Sequence, residues 1–131
     1  MASVTAWWHE QIFAGEPPSV ALARDFVCQH LVAHHQSHLV DDVRLVVSEI
    51  ATNAVVHAQT SFGVCLSRVQ GSVLLAIRDE SKSPPVPSAP DVMDMSGRGL
   101  MLVELLSQEW GTRTDDHGFK SVWASFPGTV R

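Results

Sequence analysis

The chain has 131 residues, with Lys+Arg 9 against Asp+Glu 14 and a formal net charge of −5, a size that suits one domain with one core. Hydrophobic residues at 45% and charged residues at 18% exclude a disordered solvating chain, and no basic block offers direct binding to nucleic acid or an anionic membrane. Neither a signal peptide nor an apolar run of spanning length is visible, which reads as a cytoplasmic protein, with Cys28 and Cys65 as buried thiols.

In chain order, the alternating aromatic stretch from Thr5 to Phe13 predicts a strand, stopped by Gly15-Glu16-Pro17-Pro18. Ser19 reads as the N-cap of a helix whose apolar face is Val20, Ala23, Phe26, Val27 and Leu31. That helix fades in His34-His35-Gln36-Ser37-His38. A second helix starts near Asp41-Asp42, whose charges suit the positive end of a helix dipole. It runs through VRLVVSEIATNAVVHA, with Val43, Val46, Val47, Ile50, Ala54 and Ala58 on one face. Gln59 to Gly63 reads as a turn. Strands follow from Phe62 to Val69 and from Ser72 to Arg78, joined by the short Gln70-Gly71.

From Glu80 to Ser96 the proline-rich SKSPPVPSAP predicts a long loop. A helix begins at Gly97-Arg98-Gly99, with Leu100, Val103 and Leu106 or Leu102 and Leu105 on its apolar side. The chain closes on a hairpin, Glu109 to Arg113 and Phe119 to Phe126, turning at Asp115-Asp116-His117-Gly118. Hairpins with helices gathered in blocks predict an α+β fold: a two-layer sandwich of an antiparallel or mixed sheet with helices packed on one face. No alternating βαβ pattern supports a dinucleotide fingerprint.

Three groups of residues carry chemistry. Glu49 and Asn53, four apart, point the same way on a helix, about 6 Å apart along its axis. Their oxygens are hard donors suited to Mg²⁺ joined to phosphates; either residue alone is more often a solvated or backbone-bonded side chain. Asp79 ends a buried strand and needs donors, which a ligand's exocyclic amine or the amides of Ser81 or Lys82 would supply. Ser96-Gly97-Arg98-Gly99-Leu100 leads a loop into a helix whose first amides point outward and can cradle phosphate. A lone Gly-x-Gly can equally be a hinge.

In this order, Glu49, Asn53, Ala54 and His57, then Asp79, then a Pro-rich loop and GRGL resemble the Bergerat ATP-binding fold of gyrase, histidine kinases and mismatch-repair ATPases. VSEIATNAVVHA, RDES and GRGLMLVELLSQEWG are more similar still to the small single-domain anti-sigma-factor serine kinases of bacteria, from about Pro18 to Phe126. The resemblance implies one ATP-binding domain over residues 1–131, with a mobile lid at about 80–98. It implies a protein-serine/threonine kinase that binds a sigma factor and phosphorylates a serine of an anti-anti-sigma (STAS) partner, as a monomer or homodimer. Asn53 would hold Mg²⁺, and Glu49 would be the general base. Asp79 would accept from the adenine amine, while Gly97, Arg98, Gly99 and Leu100 would contact the phosphates. Ser121 would stand near an adenine-bound water, although Phe119 separates Gly118 from Lys120 where relatives read Gly-Lys-Thr. The alternative is a nucleotide-sensing module that regulates partners without phosphotransfer.

Other signals point to simpler roles. His30, His34 and His38 share a spacing of four, but no Cys or carboxylate completes a zinc set, so they read as a solvated, pH-responsive patch. His57 reads as a helix-end residue. Trp7, Trp8, Trp110 and Trp123 read as core or interface aromatics, and Met93 and Met95 as adaptable partner contacts.

Overall fold

The computed structural model describes residues 6–80 and 98–129. Its strands are β1 (Trp8–Phe13), β2 (Phe62–Val69), β3 (Ser72–Asp79), β4 (Glu109–Thr114) and β5 (Lys120–Pro127). They form one sheet in the order β1-β2-β3-β5-β4, every neighbouring pair antiparallel. The helices are α1 (Pro18–Ala33), α2 (Val40–Thr52) and α3 (Arg98–Leu106), with a 3₁₀ turn at Ser37–Leu39 and a π-helical turn at Asn53–Ala58.

Period-two alternation gives the sheet two unlike faces. Val64, Leu66, Val73, Leu75, Ile77, Val122, Ala124 and Phe126 are buried in one core with Val27, Leu31, Val43, Val47 and Ile50 of the helices. On the other face the register lines up Glu10, Cys65, Ala76, Trp123 and Gly111 in a single row. Trp8 and Ile12 remain more than half exposed there. The Trp123 indole lies so close over Gly111 that a Cβ there would be 2.9 Å from the ring. The expected α+β sandwich, with helices on one face, is the observed architecture.

Several local expectations are corrected. Ser19 is buried inside α1 rather than capping it; Pro17 is the N-cap and Pro18 the first helical residue. A proline fits there because the first helical N–H has no intrahelical partner to lose. The second helix is not one continuous α-helix through Ala58: it changes to the wider π turn at Asn53. Both cysteines are only half-buried. In α3 the apolar face is narrow, with Val103 buried and Leu106 packed against the core, whereas Met101 and Leu105 face solvent. The Pro-rich loop, Gly97, Met93 and Met95 lie outside the described residues.

Candidate nucleotide-binding site

The site begins at the junction of α2 with the π turn. Glu49 occupies the last turn of α2 and Asn53 opens the π segment; both are half-buried, beside a buried flank of Val46, Val47, Ile50, Ala51 and Ala54. π turns widen the helix locally and recur where a functional side chain must be re-aimed. The segment stops at Gln59, whose backbone turns left-handed at φ 56.

Two backbone hydrogen bonds then tie this segment to the end of the sheet. Thr60 N–H donates to the Ala54 carbonyl at 3.1 Å, and Glu80 N–H donates to the Ser61 carbonyl at 3.1 Å. Phe62 pairs directly with Asp79. The Asn53–Ala58 turn, Thr60 and Asp79 therefore gather at the β3 C-terminal end. Gly15 closes the corner: a Cβ there would stand 2.6 Å from the Thr60 carbonyl oxygen, a clash with backbone that only glycine avoids.

Alternation then sorts the two adjacent acids. Asp79 falls on the helical face with Ile77 and is only 7% exposed. Glu80 turns to the open face, where its carboxylate meets Arg78 at 2.5 Å and 3.2 Å. Arg78 also covers the Phe119 ring at 4.8 Å and lies 3.7 Å from Asp115. The two carboxylates thus lie on opposite faces of the sheet, Glu80 paired there with a guanidinium.

Val103 of α3 lines an apolar seam with Val46 and Ile50 of α2, Leu75 and Ile77 of β3, and Val122 of β5. This places α3 against α2 on the same face of the sheet. α3 starts at Arg98, so Arg98, Gly99 and Leu100 supply its first backbone amides, the donors a helix leaves free for an anion.

Ser121 is not brought to this group. It pairs in register with Arg78 and Arg113, and it lines a hollow of about 470 Å³ on the open face with Cys65 and Trp123. Its parity in the β3–β5 register, opposite to that of the buried Val122, puts it on the open face. The residue that sequence reasoning passed over is Thr60. Among the described residues, its Oγ1 is the buried side-chain polar atom left without a hydrogen-bond partner. A threonine in a turn gives no distinguishing sequence signal, yet an orphaned buried hydroxyl calls for a ligand group or an ordered water.

The donor chemistry fits Mg²⁺ and a nucleotide. Mg²⁺ takes one or two protein oxygens and completes its shell with phosphates and water, so the Asn53 oxygen is a sufficient protein ligand without a dedicated cage. Among the described residues no group of three His, Cys, Asp or Glu could hold a metal by itself. Asp79 offers a buried acceptor to a ring amine, and the amides at the start of α3 offer donors to phosphate.

Residues 13–126 match a family model described as a histidine kinase-like ATPase domain. None of the curated proteins matches the sequence. The matched span runs from Phe13, buried at the end of β1, to Phe126, buried in β5, and so takes in the whole sheet core and every part of the site. The chain belongs to the histidine kinase-like ATPase domain family, the ATP-binding proteins of the Bergerat fold.

Proposed function

We propose that this protein is a Mg·ATP-dependent protein-serine kinase of the anti-sigma type, working in the cytoplasm. The observation that supports the proposal is the α2–π junction: Glu49 and Asn53 stand at it, and Thr60 N–H ties its Ala54 carbonyl to the loop that enters β2 opposite the buried Asp79. Phosphoryl transfer needs positioning and charge stabilisation more than covalent help from the protein, so this short list of parts is sufficient.

Asn53 would hold Mg²⁺, which would supply positive charge to offset that of the phosphates. Asp79 accepts from the adenine amine, and the amides of Arg98, Gly99 and Leu100 that open α3 hold the phosphates. Glu49 accepts the hydroxyl proton of the acceptor serine. The serine oxygen then bonds to the γ-phosphorus as the bond to the bridging β–γ oxygen breaks, leaving phosphoserine and ADP. The acceptor is a serine on a small STAS-type antagonist, and the second partner is a sigma factor released or recaptured according to that phosphorylation. A partner senses the nucleotide only through different affinities for the ATP and ADP states.

The test incubates the full chain with γ-labelled ATP, Mg²⁺ and a STAS antagonist. Label on the antagonist's serine, lost in Glu49→Ala while ATP binding stays within about threefold, supports the kinase. Tight ATP binding with no label establishes the alternative, a nucleotide-sensing module without phosphotransfer.

A further inference from the structure

Where the edge strand β1 meets the C-terminal half of α1, aromatic rings interlock. His9 stacks on His30 with centroids 3.8 Å apart and planes at 14°. Trp7 stacks on His34 at 4.2 Å and 9°. His9 and His34 meet Nε2 to Nε2 at 2.8 Å, and Phe26 closes the base of the stack, edge-on to His30 at 4.8 Å. The trio expected along one helical face is thereby rearranged. His38 bonds the Pro127 carbonyl at 2.9 Å, and His9 from another element takes its place.

The Nε2···Nε2 contact is a hydrogen bond only if one ring donates and the other accepts, so at least one of the two must be neutral. Two imidazolium rings at that distance would have no acceptor between them and would repel. The groups facing the stack offer no relief. From α1 and the turn after it come His30, His34 and His35. From β2 the Arg68 backbone N–H bonds the Trp7 carbonyl at 2.9 Å, while its guanidinium bonds the Gln70 and Thr129 carbonyls. Glu10, next to His9, lies on the opposite face of the sheet. The negative end of α1 does favour a cation. It is outweighed: burial, then the charges of His9 and His34, hold His30 below the ordinary histidine range. Burial, then His9 and His35, does the same to His34.

We propose that the Trp7–His34–His9–His30 stack is a proton-sensitive clasp that fastens β1 to α1 at neutral pH and loosens when mild acid protonates His30 and His34. Folded His30 and His34 bind fewer protons than in the unfolded chain. The clasp is therefore complete above the unfolded histidine pKa, about 6.5, and weakens as the pH falls below it. The inference does not depend on nucleotide binding.

Hydrogen exchange of the full chain at pH 7.5 and 5.5, corrected for intrinsic rates, tests it. Amides of β1 are expected to lose protection at pH 5.5, by up to about tenfold for each histidine whose pKa the fold depresses, because that pH lies about one unit below the unfolded value, while β3 and β5 are unchanged. In His34→Phe, which keeps a ring for Trp7 but removes one titrating partner, the pH difference should shrink to the part that His30 leaves, and an undiminished difference counts against the clasp. Should that variant not fold, ring NMR of the unaltered chain decides, with His30 and His34 expected to titrate below about 6.5. Equal β1 protection at both pH values, or ordinary titration of both rings, overturns the clasp. So does Zn²⁺ at pH 7.5 raising the melting temperature in the unaltered chain but not in His9→Phe, because the stack would then serve an ion.

Discussion

At Asp79 and Glu80 a one-residue difference in strand position separates two carboxylates by function. Asp79 is buried on the helical face, whereas Glu80 is spoken for by Arg78 on the other. Removing the charge of each should therefore have unlike effects. Asp79→Asn replaces an acceptor by a group that is half donor, and should weaken ATP binding at least tenfold by calorimetry, about 1.4 kcal/mol. Glu80→Gln should leave affinity within about twofold; equal losses in the two variants would refute the sorting by face. Gly15 offers a second residue-level prediction. Ala there drives a Cβ into the Thr60 backbone, which cannot swing aside like a side chain, so stability to urea should fall by about 1–3 kcal/mol. The half-buried cysteines make a third. Burial is the main cause that raises both thiol pKa values, with Glu10 adding to it at Cys65, so the thiolate is scarce at neutral pH. Alkylation at pH 7.5 should be slower than for free cysteine, and rates equal to it would contradict this.

Among the elements, what the sequence made legible was whatever periodicity or punctuation controls. The α1 and α2 core faces, the Gln70-Gly71 hairpin and the start of the helix at Arg98 all follow from apolar spacing and breakers, as does the gathering of helices on one face. The π turn was not legible, because NAVVHA continues an acceptable α-helical pattern and nothing in its residue types distinguishes the wider turn. The Glu49–Asn53 pair was visible as a spacing of four; the orphaned hydroxyl of Thr60, which depends on chain packing, was not. The side of the sheet on which Ser121 falls was not legible, because it depends on the β3–β5 register, in which Ser121 pairs with Arg78. The π turn also carries a prediction. It ends on Gln59 at φ 56, a left-handed conformation that costs a non-glycine residue about 1–2 kcal/mol. Gln59→Gly should remove most of that strain and, net of its greater unfolded-state freedom, raise stability by about 0.5–1 kcal/mol in urea. A loss of stability would mean that the Gln side chain contributes more than the backbone conformation costs.

Across the whole molecule the sheet is polar from end to end. Asp79, Phe62, Thr60 and the π turn meet at one end, while at the other Gly128 N–H bonds the Gly71 carbonyl at 3.0 Å and Arg68 donates to the Gln70 and Thr129 carbonyls. A ligand held at the first end has direct contact with α2, the π turn and α3 but none with the far hairpin. Ligand that binds only the folded chain stabilises it globally by RT ln(1 + [L]/Kd), about 2.7 kcal/mol at a hundredfold excess over Kd. Local openings respond only where the ligand touches or where opening destroys its site. Hydrogen exchange with saturating Mg·ATP should thus show extra protection in residues 53–60 and at the Ile77–Asp79 end of β3, while amides at 69–72 that exchange by local opening stay unchanged. The pattern should disappear in Asn53→Ala, where one Mg²⁺ oxygen ligand is gone. Protection concentrated instead along the open face, at Cys65, Ala76 and Trp123, would relocate the nucleotide to the 470 Å³ hollow on the other side of the sheet. The helical-face assignment of Glu49, Asn53 and Asp79 as its contacts would then fail.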